Sequence, residues 1–195
     1  MCSLTDMVRK RFNYCCAFFL ALNLNPVWSE TKCKDDQCNV IVNFSGKYLE
    51  ETCEVDINGN GNEDTITLPT ILTSSLNNDG DEAGHTPFSV SLSNCPYSRT
   101  VALYFKTGSA GSDARTGNLL NSQGSDYAKN VQIRLRKQDA SVIKVDKLET
   151  MQRYNISASG ETVKHSYTAS YYANGNLKAT AGEVETQAEI DLIYE

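Results

Sequence analysis

The chain has 195 residues, with 24 acidic and 18 basic side chains and a formal net charge of −6. That length falls within the range of one domain and is enough to bury a core. Its acidity, without a Lys/Arg cluster beyond the amino terminus, argues against nucleic acid or an anionic membrane as a partner.

The amino end reads as an export signal. Arg9, Lys10 and Arg11 form a basic head, and the apolar run from Tyr14 to Leu22 is too short to span a bilayer. Val27 and Ser29 then stand at the −3 and −1 positions of a cleavage site, so residues 1–29 are expected to be a signal peptide removed after Ser29, with Met7 an alternative start to Met1. No later stretch approaches membrane length, and the expected mature chain is soluble and exported. The leader carries three basic residues and one acidic residue, so its loss moves the net charge from −6 to −8.

Of seven cysteines, Cys2, Cys15 and Cys16 leave with the leader, and Cys33, Cys38, Cys53 and Cys95 remain. An even number in an exported chain reads as disulfides. Three pairings are open; spacing favours Cys33–Cys38 as a small ring and Cys53–Cys95 as a long staple. Zinc would need four convergent Cys/His ligands, and His85 and His165 sit near no cysteine pair.

Residues 30–38 read as a polar lead-in. From Asn39 to Tyr48, one face carries Val40, Val42, Phe44, Gly46 and Tyr48 while the other is largely polar, which predicts an amphipathic strand. Short strands with turn residues between them are predicted around Cys53 (51–57), at 64–71 with Ile66 and Leu68, through Phe88, Val90 and Leu92, and through Val101, Leu103 and Phe105. Residues 131–135 and 141–145 flank Gln138-Asp139-Ala140 as a hairpin, and strands at 154–157 and 165–172 follow. The last fourteen residues alternate most cleanly. Val184, Thr186, Ala188, Ile190, Leu192 and Tyr194 lie on one face, and Glu183, Glu185, Gln187, Glu189, Asp191, Ile193 and Glu195 on the other. No window has a helical period. The expected fold is an all-β sandwich of the immunoglobulin-like class, with its last strand at a sheet edge that invites another strand.

Candidate chemistry is sparse. Asp56-Ile-Asn-Gly-Asn-Gly61 matches the first half of a calcium loop, but its twelfth position is Thr67 rather than Glu, and Asn-Gly pairs also make tight turns, so a turn is expected. No Gly-x-Ser-x-Gly elbow occurs, and neither histidine has a sequence context of general-base catalysis. No catalytic residue, metal site or cofactor is expected.

Several fragments, in order, resemble the pilins of chaperone–usher pili, the type 1 and P pilus subunits. Gly182 stands fourteenth from the end and Tyr194 is penultimate, and Tyr171-Tyr172-Ala173 through Ala179-Thr180-Ala181-Gly182 precedes them. Val42 to Val55, with Gly46 seven residues before Cys53, is similar to the family's opening; Phe88 to Cys95 and Asn130 to Leu135 are similar to its middle. The resemblance implies an immunoglobulin-like fold lacking its seventh strand. It divides the chain into signal peptide 1–29, donor strand 30–49 and pilin domain 50–195. It implies a groove lined by Val184, Ala188, Ile190, Leu192 and Tyr194, filled first by a periplasmic chaperone that holds the carboxylate of Glu195. At the outer-membrane usher, the donor face Val40, Val42, Phe44, Gly46 and Tyr48 of a neighbouring subunit would replace the chaperone strand. The implied function is a structural subunit of a cell-surface pilus that supports adhesion, without enzymatic activity. The alternative is a self-contained secreted carbohydrate-binding sandwich.

Overall fold

A computed structural model describes residues 52–108, 110–175 and 177–195. The expected signal peptide, the Cys33/Cys38 ring and the 40–48 strand lie outside the described residues. Among the described residues nine strands carry the fold: β1 (Glu54–Ile57), β2 (Glu82–Ser93), β3 (Thr100–Thr107), β4 (Leu119–Leu120), β5 (Val131–Lys137), β6 (Val142–Ile143), β7 (Gln152–Asn155), β8 (Val163–Ala173) and β9 (Ala188–Tyr194). One sheet runs β1-β2-β8-β5, with β4 and β6 both pairing to β5; the other runs β7-β3-β9. All ladders between these strands are antiparallel.

The alternation read from the sequence decides which residues form the core. Val90, Leu92, Val101 and Leu103 are fully enclosed, and Phe88, Phe105, Ile133 and Leu135 nearly so. Two phenols join the sheets from within. The Tyr154 hydroxyl, on β7, donates to the Val90 carbonyl oxygen at 3.1 Å, and it lies 2.9 Å from the Tyr167 hydroxyl on β8. Tyr167 also stacks on Phe88, with ring centroids 5.3 Å apart. Burial pushes both phenols far above the ordinary tyrosine value, so they stay neutral and keep their hydrogens for these bonds.

Cys53 and Cys95 form a disulfide, as the spacing favoured. They flank the β1–β2 ladder, in which Glu54 faces Ser93, so the staple closes one end of a hairpin-like pair inside one sheet. The turn at Asp56–Gly61 is built as its Asn-Gly pairs imply: Asn58, Gly59 and Gly61 all take positive φ. The Asp56 carboxylate accepts the N–H groups of Gly59 and Gly61 at 2.8 and 2.9 Å. Its oxygens are turned onto their own backbone, where an aspartate often caps a turn.

Two expectations need correction. Residues 64–71 do not form a strand; they run as coil, although Ile66 and Leu68 still pack against the core. Pro69 lacks a ladder donor, and no described strand stands beside the segment to pair with it. The terminal strand also begins later than its alternation implied. Pairing with β3 starts at Ala188 opposite Thr107, whereas Glu183 and Glu185 bond to the 121–128 loop instead.

A charged cluster lies on the outer face of the larger sheet. Glu82 accepts from Arg134 at 2.7 Å, from Arg136 at 2.5 and 3.1 Å, and from the Ser170 hydroxyl at 3.2 Å. Arg134 also lies over the Tyr172 ring, 3.7 Å from its centroid. The Glu82 and Arg134 side chains are only 13% and 14% exposed, so solvent does little to screen the pair. Burial opposes the Glu82 charge, but hydrogen bonds from Arg136 and Arg134 outweigh it and hold the carboxyl below its ordinary value. Its contribution is therefore fully present above the unfolded glutamate pKa of about 4.3 and is lost as pH falls through the lowered native value. Glu82→Gln is expected to cost about 2 kcal/mol at neutral pH, since it strands two guanidinium groups. Urea unfolding of both proteins at pH 7 and pH 3.5 checks this: the gap should narrow in acid, and a gap independent of pH would remove the charge from the explanation.

Candidate subunit interface

The smaller sheet ends at β9, whose only ladder partner among the described residues is β3. The register runs from Thr107 opposite Ala188 to Val101 opposite Tyr194. On the β9 face toward the core, Ala188, Ile190 and Leu192, and Val184 on the approach to it, pack against the main core but are only half-buried. They contrast with Val101 and Leu103 on the adjacent strand, which are 0% exposed. A strand whose inner face is half-covered and whose outer edge has no described ladder partner is incomplete in both senses that a sheet requires.

The approach to β9 is fixed by backbone contact. Glu183 N–H donates to the Asp126 carbonyl at 2.8 Å, and Ala128 N–H donates to the Glu183 carbonyl at 2.9 Å. Gly182 sits between them with φ +151°; a Cβ there would stand 2.4 Å from Ala128 N and 2.6 Å from the Tyr127 carbonyl carbon. The chain can pass so close only because that position has no side chain. Asn121 completes the lock: its side-chain oxygen accepts from Glu185 N–H at 2.8 Å, and its amide donates to the Ala128 and Glu183 carbonyls.

Across from this approach lies a cavity of about 600 Å³. Its lining includes Ile71, Leu72, Leu76, Tyr171, Ala179 and Val184. Leu72 is 74% exposed, a large apolar residue left uncovered at the rim. Thr186, between Val184 and Ala188, has a hydroxyl enclosed without a hydrogen-bond partner among the described residues.

The far end of β9 is anchored differently. The Tyr194 hydroxyl accepts from Cys53 N–H at 2.8 Å, tying the penultimate residue to the disulfide. Arg153 on β7 forks onto the Glu195 carboxylate with both bonds at 3.0 Å, and Glu195 N–H donates to the Thr100 carbonyl at 2.9 Å. The Arg153 bond and charge hold the Glu195 carboxyl below its ordinary value. On the wet face, Asp191 pairs with Lys106 at 3.1 Å and the Tyr127 hydroxyl donates to Glu185 at 3.1 Å.

Of the residues read from the sequence as one strand, Ala188, Ile190, Leu192 and Tyr194 lie on β9, Gly182 and Val184 on its approach and Glu195 just past its end. The donor-face residues Val40, Val42, Phe44, Gly46 and Tyr48 lie outside the described residues. Sequence reading gave no role at this site to Arg153, Asn121, Tyr171 or the Thr186 hydroxyl. The first three act from other strands and loops, and only the tertiary fold places them here. Thr186 was legible as a core-facing position, but its unpaired hydroxyl was not.

Residues 42–195 match the family described as Fimbrial protein. The chain belongs to that family. It is 31% identical over 158 residues to the major fimbrial subunit SMF-1 of Stenotrophomonas maltophilia, spanning 78% of this chain and 90% of that one. It is 33% identical over 161 residues to the F17 fimbrial protein of Escherichia coli, covering 79% and 86% of the two chains. Among solved structures, the P pilus rod subunit PapA superposes with a TM-score of 0.57 at 15% identity, over 73% of this chain and 99% of PapA. A chaperone–usher pilus rod structure superposes with a TM-score of 0.55 at 17% identity, over 84% and 100%. The protein is therefore a fimbrial structural subunit with an immunoglobulin-like all-β fold, and its family is non-enzymatic. Among the described residues of this subunit no helix is long and apolar enough to cross a membrane.

Proposed function

We propose that the subunit assembles by donor-strand exchange: the free edge and half-buried face of β9 accept a strand from another subunit, after a chaperone has occupied them in the periplasm. The observation that carries this reading is β9 itself, a long patterned strand with one ladder partner and an inner face only half-covered among the described residues. An incoming strand would take up the unused N–H and C=O groups of that edge and bury alternate side chains beside Val184, Ala188, Ile190 and Leu192. Four apolar donor side chains at roughly 1.5–3 kcal/mol each supply a gross gain of about 6–12 kcal/mol before ordering costs. No nucleotide or cofactor is needed, because completing the fold releases the free energy. In this reading the amino-terminal strand of each subunit is the donor, the usher is where exchange occurs, and the cell-surface pilus is the product.

Thermal unfolding of residues 49–195, with and without a synthetic peptide of residues 38–49, tests it. A peptide at about one hundred times its dissociation constant should raise the midpoint by roughly 10 °C. A trimmed domain that is already stable and monomeric, and that the peptide leaves unchanged, would sink the reading in favour of a self-contained sugar-binding sandwich.

A further inference from the structure

The chain carries three Asn-Gly pairs, Asn58-Gly59, Asn60-Gly61 and Asn174-Gly175, and one Asp-Gly pair, Asp79-Gly80. Such pairs are where a polypeptide most readily modifies itself. The glycine backbone nitrogen loses its proton and attacks the asparagine side-chain carbonyl carbon; an N–C bond forms, ammonia leaves, and a succinimide results. Water then opens that ring to aspartate or isoaspartate. A carboxylate replaces an amide and, in the iso form, the main chain gains a methylene. At Asp-Gly the same attack expels water instead. Burial does not prevent this reaction in the first two pairs, because Asn58, Gly59, Asn60 and Gly61 are all exposed.

In all four pairs the attacking nitrogen is already engaged. Gly59 N–H donates to one oxygen of Asp56 at 2.8 Å, and Gly61 N–H donates to the other at 2.9 Å. Gly175 N–H donates to the Asp79 carboxylate at 2.7 Å, and Gly80 N–H to the Ala173 carbonyl at 2.9 Å. We infer that Asp56 and Asp79 guard the chain against deamidation, each carboxylate holding the N–H groups whose nitrogens would otherwise attack their asparagines. A carboxylate beside the N–H disfavours the amide anion that the attack requires, because a like charge opposes ionisation. The bond also fixes the peptide plane, so turning the nitrogen toward the side chain means breaking a charge-assisted hydrogen bond. Asp64 adds a second hold on the first turn. Its carboxylate accepts from the Asn58 amide at 2.7 Å and the Asn60 amide at 3.0 Å, while the Asn58 oxygen accepts Ser89 N–H at 2.8 Å. At Asn174 the side-chain oxygen accepts from Arg115. A guanidinium there polarises the carbonyl toward attack, so this pair depends most on its guard. Both turns lie outside β9 and its approach, and the guards act whether or not donor-strand exchange occurs.

The test incubates the full chain, purified in its native assembly, at neutral pH and follows conversion of each asparagine by peptide mass spectrometry. All three asparagines should convert at least about tenfold more slowly than in the same chain unfolded in urea. Asp56→Ala should speed conversion at Asn58 and Asn60 about tenfold and leave Asn174 unchanged. Asp79→Ala should do the reverse, so each variant controls the other for global unfolding. Should Asp56→Ala fail to fold, Asp56→Asn keeps an acceptor without the charge and should raise the same two rates by a smaller factor. A cap that merely stabilises its turn predicts no such site selectivity. An equal rise at all three asparagines would assign their protection to global stability and overturn the guards. Unchanged rates would overturn them as well, and slower conversion would make the carboxylate a base for the attack.

Discussion

Gly182→Val is expected to be among the most damaging single substitutions in the subunit, costing roughly 2–4 kcal/mol. The reason is backbone against backbone. A Cβ at this position would meet Ala128 N at 2.4 Å, the Tyr127 carbonyl carbon at 2.6 Å and the Asp126 carbonyl oxygen at 2.8 Å, none of which can rotate aside. Relief would require residues 182–183 to move off the 126–128 segment. That would break the bonds of Glu183 N–H to Asp126 and of Ala128 N–H to Glu183, and would shift the start of β9. The positive φ of +151° adds a conformational penalty for any side chain. Gly175 is the control: it too has a positive φ, +97°, but a Cβ there meets nothing within 4 Å. Gly175→Ala should therefore cost only about 1 kcal/mol. Urea unfolding of the two variants measures the difference, and equal losses would mean that backbone conformation, rather than close approach, is what Gly182 supplies.

That position shows how the sequence carries some features of this fold and conceals others. Alternation located β2, β3 and β9 and assigned their inner faces, because a sheet buried on one side imposes a period of two on its residues. Phe88, Val90 and Leu92 are buried as their spacing predicts. Alternation failed where pairing, rather than burial, decides structure. Ile66 and Leu68 alternate and do pack inward, yet their segment has no described strand beside it and remains coil. Likewise Val184 and Thr186 keep the period while the backbone of their neighbours Glu183 and Glu185 bonds to loop residues instead of β3. Gly182 was visible as a punctuation mark at the head of the last strand, but the 126–128 backbone that demands it is more than fifty residues away. The Glu82, Arg134 and Arg136 cluster was invisible for the same reason: β2 and β5 contribute charges that look solvated in sequence, and only the order β2-β8-β5 brings them together around Ser170.

The incompleteness of β9 and the closure of the rest of the core belong to one design. Among the described residues the smaller sheet has three strands against six in the other; Val101 and Leu103 on β3 and Tyr154 on β7 are fully enclosed, whereas Ala188, Ile190 and Leu192 on β9 are only partly buried. A half-covered margin is an aggregation hazard unless something occupies it. The anchors at both ends of β9, Gly182 with Asn121 at its approach and Tyr194 with Glu195 at its tail, hold the strand extended. An incoming strand would then meet a template already ordered, and the entropy of straightening β9 would not be charged against binding.

Removing the disulfide is expected to loosen that template from its tail. The Cys53–Cys95 bond closes a loop with a sequence separation of 42, and the chain-entropy estimate for a loop of that size is about 4 kcal/mol. Cys53→Ala with Cys95→Ala should lower unfolding stability by roughly that amount, a large part of the total for one domain. A local consequence reaches β9, because the Cys53 N–H is the group that donates to the Tyr194 hydroxyl. Tyr194→Phe alone should cost about 1 kcal/mol, the worth of one hydrogen bond to a partly buried donor. If the clasp depends on the disulfide holding Cys53 in place, the same Tyr194→Phe change should cost nearly nothing once both cysteines are replaced, since that bond is already lost. Four proteins unfolded in urea form the complete cycle. Non-additive losses would show that the staple positions the end of the terminal strand as well as constraining the unfolded chain. Strictly additive losses would confine the disulfide to β1 and β2 and leave Arg153 and Thr100 as the anchors that hold the tail of β9.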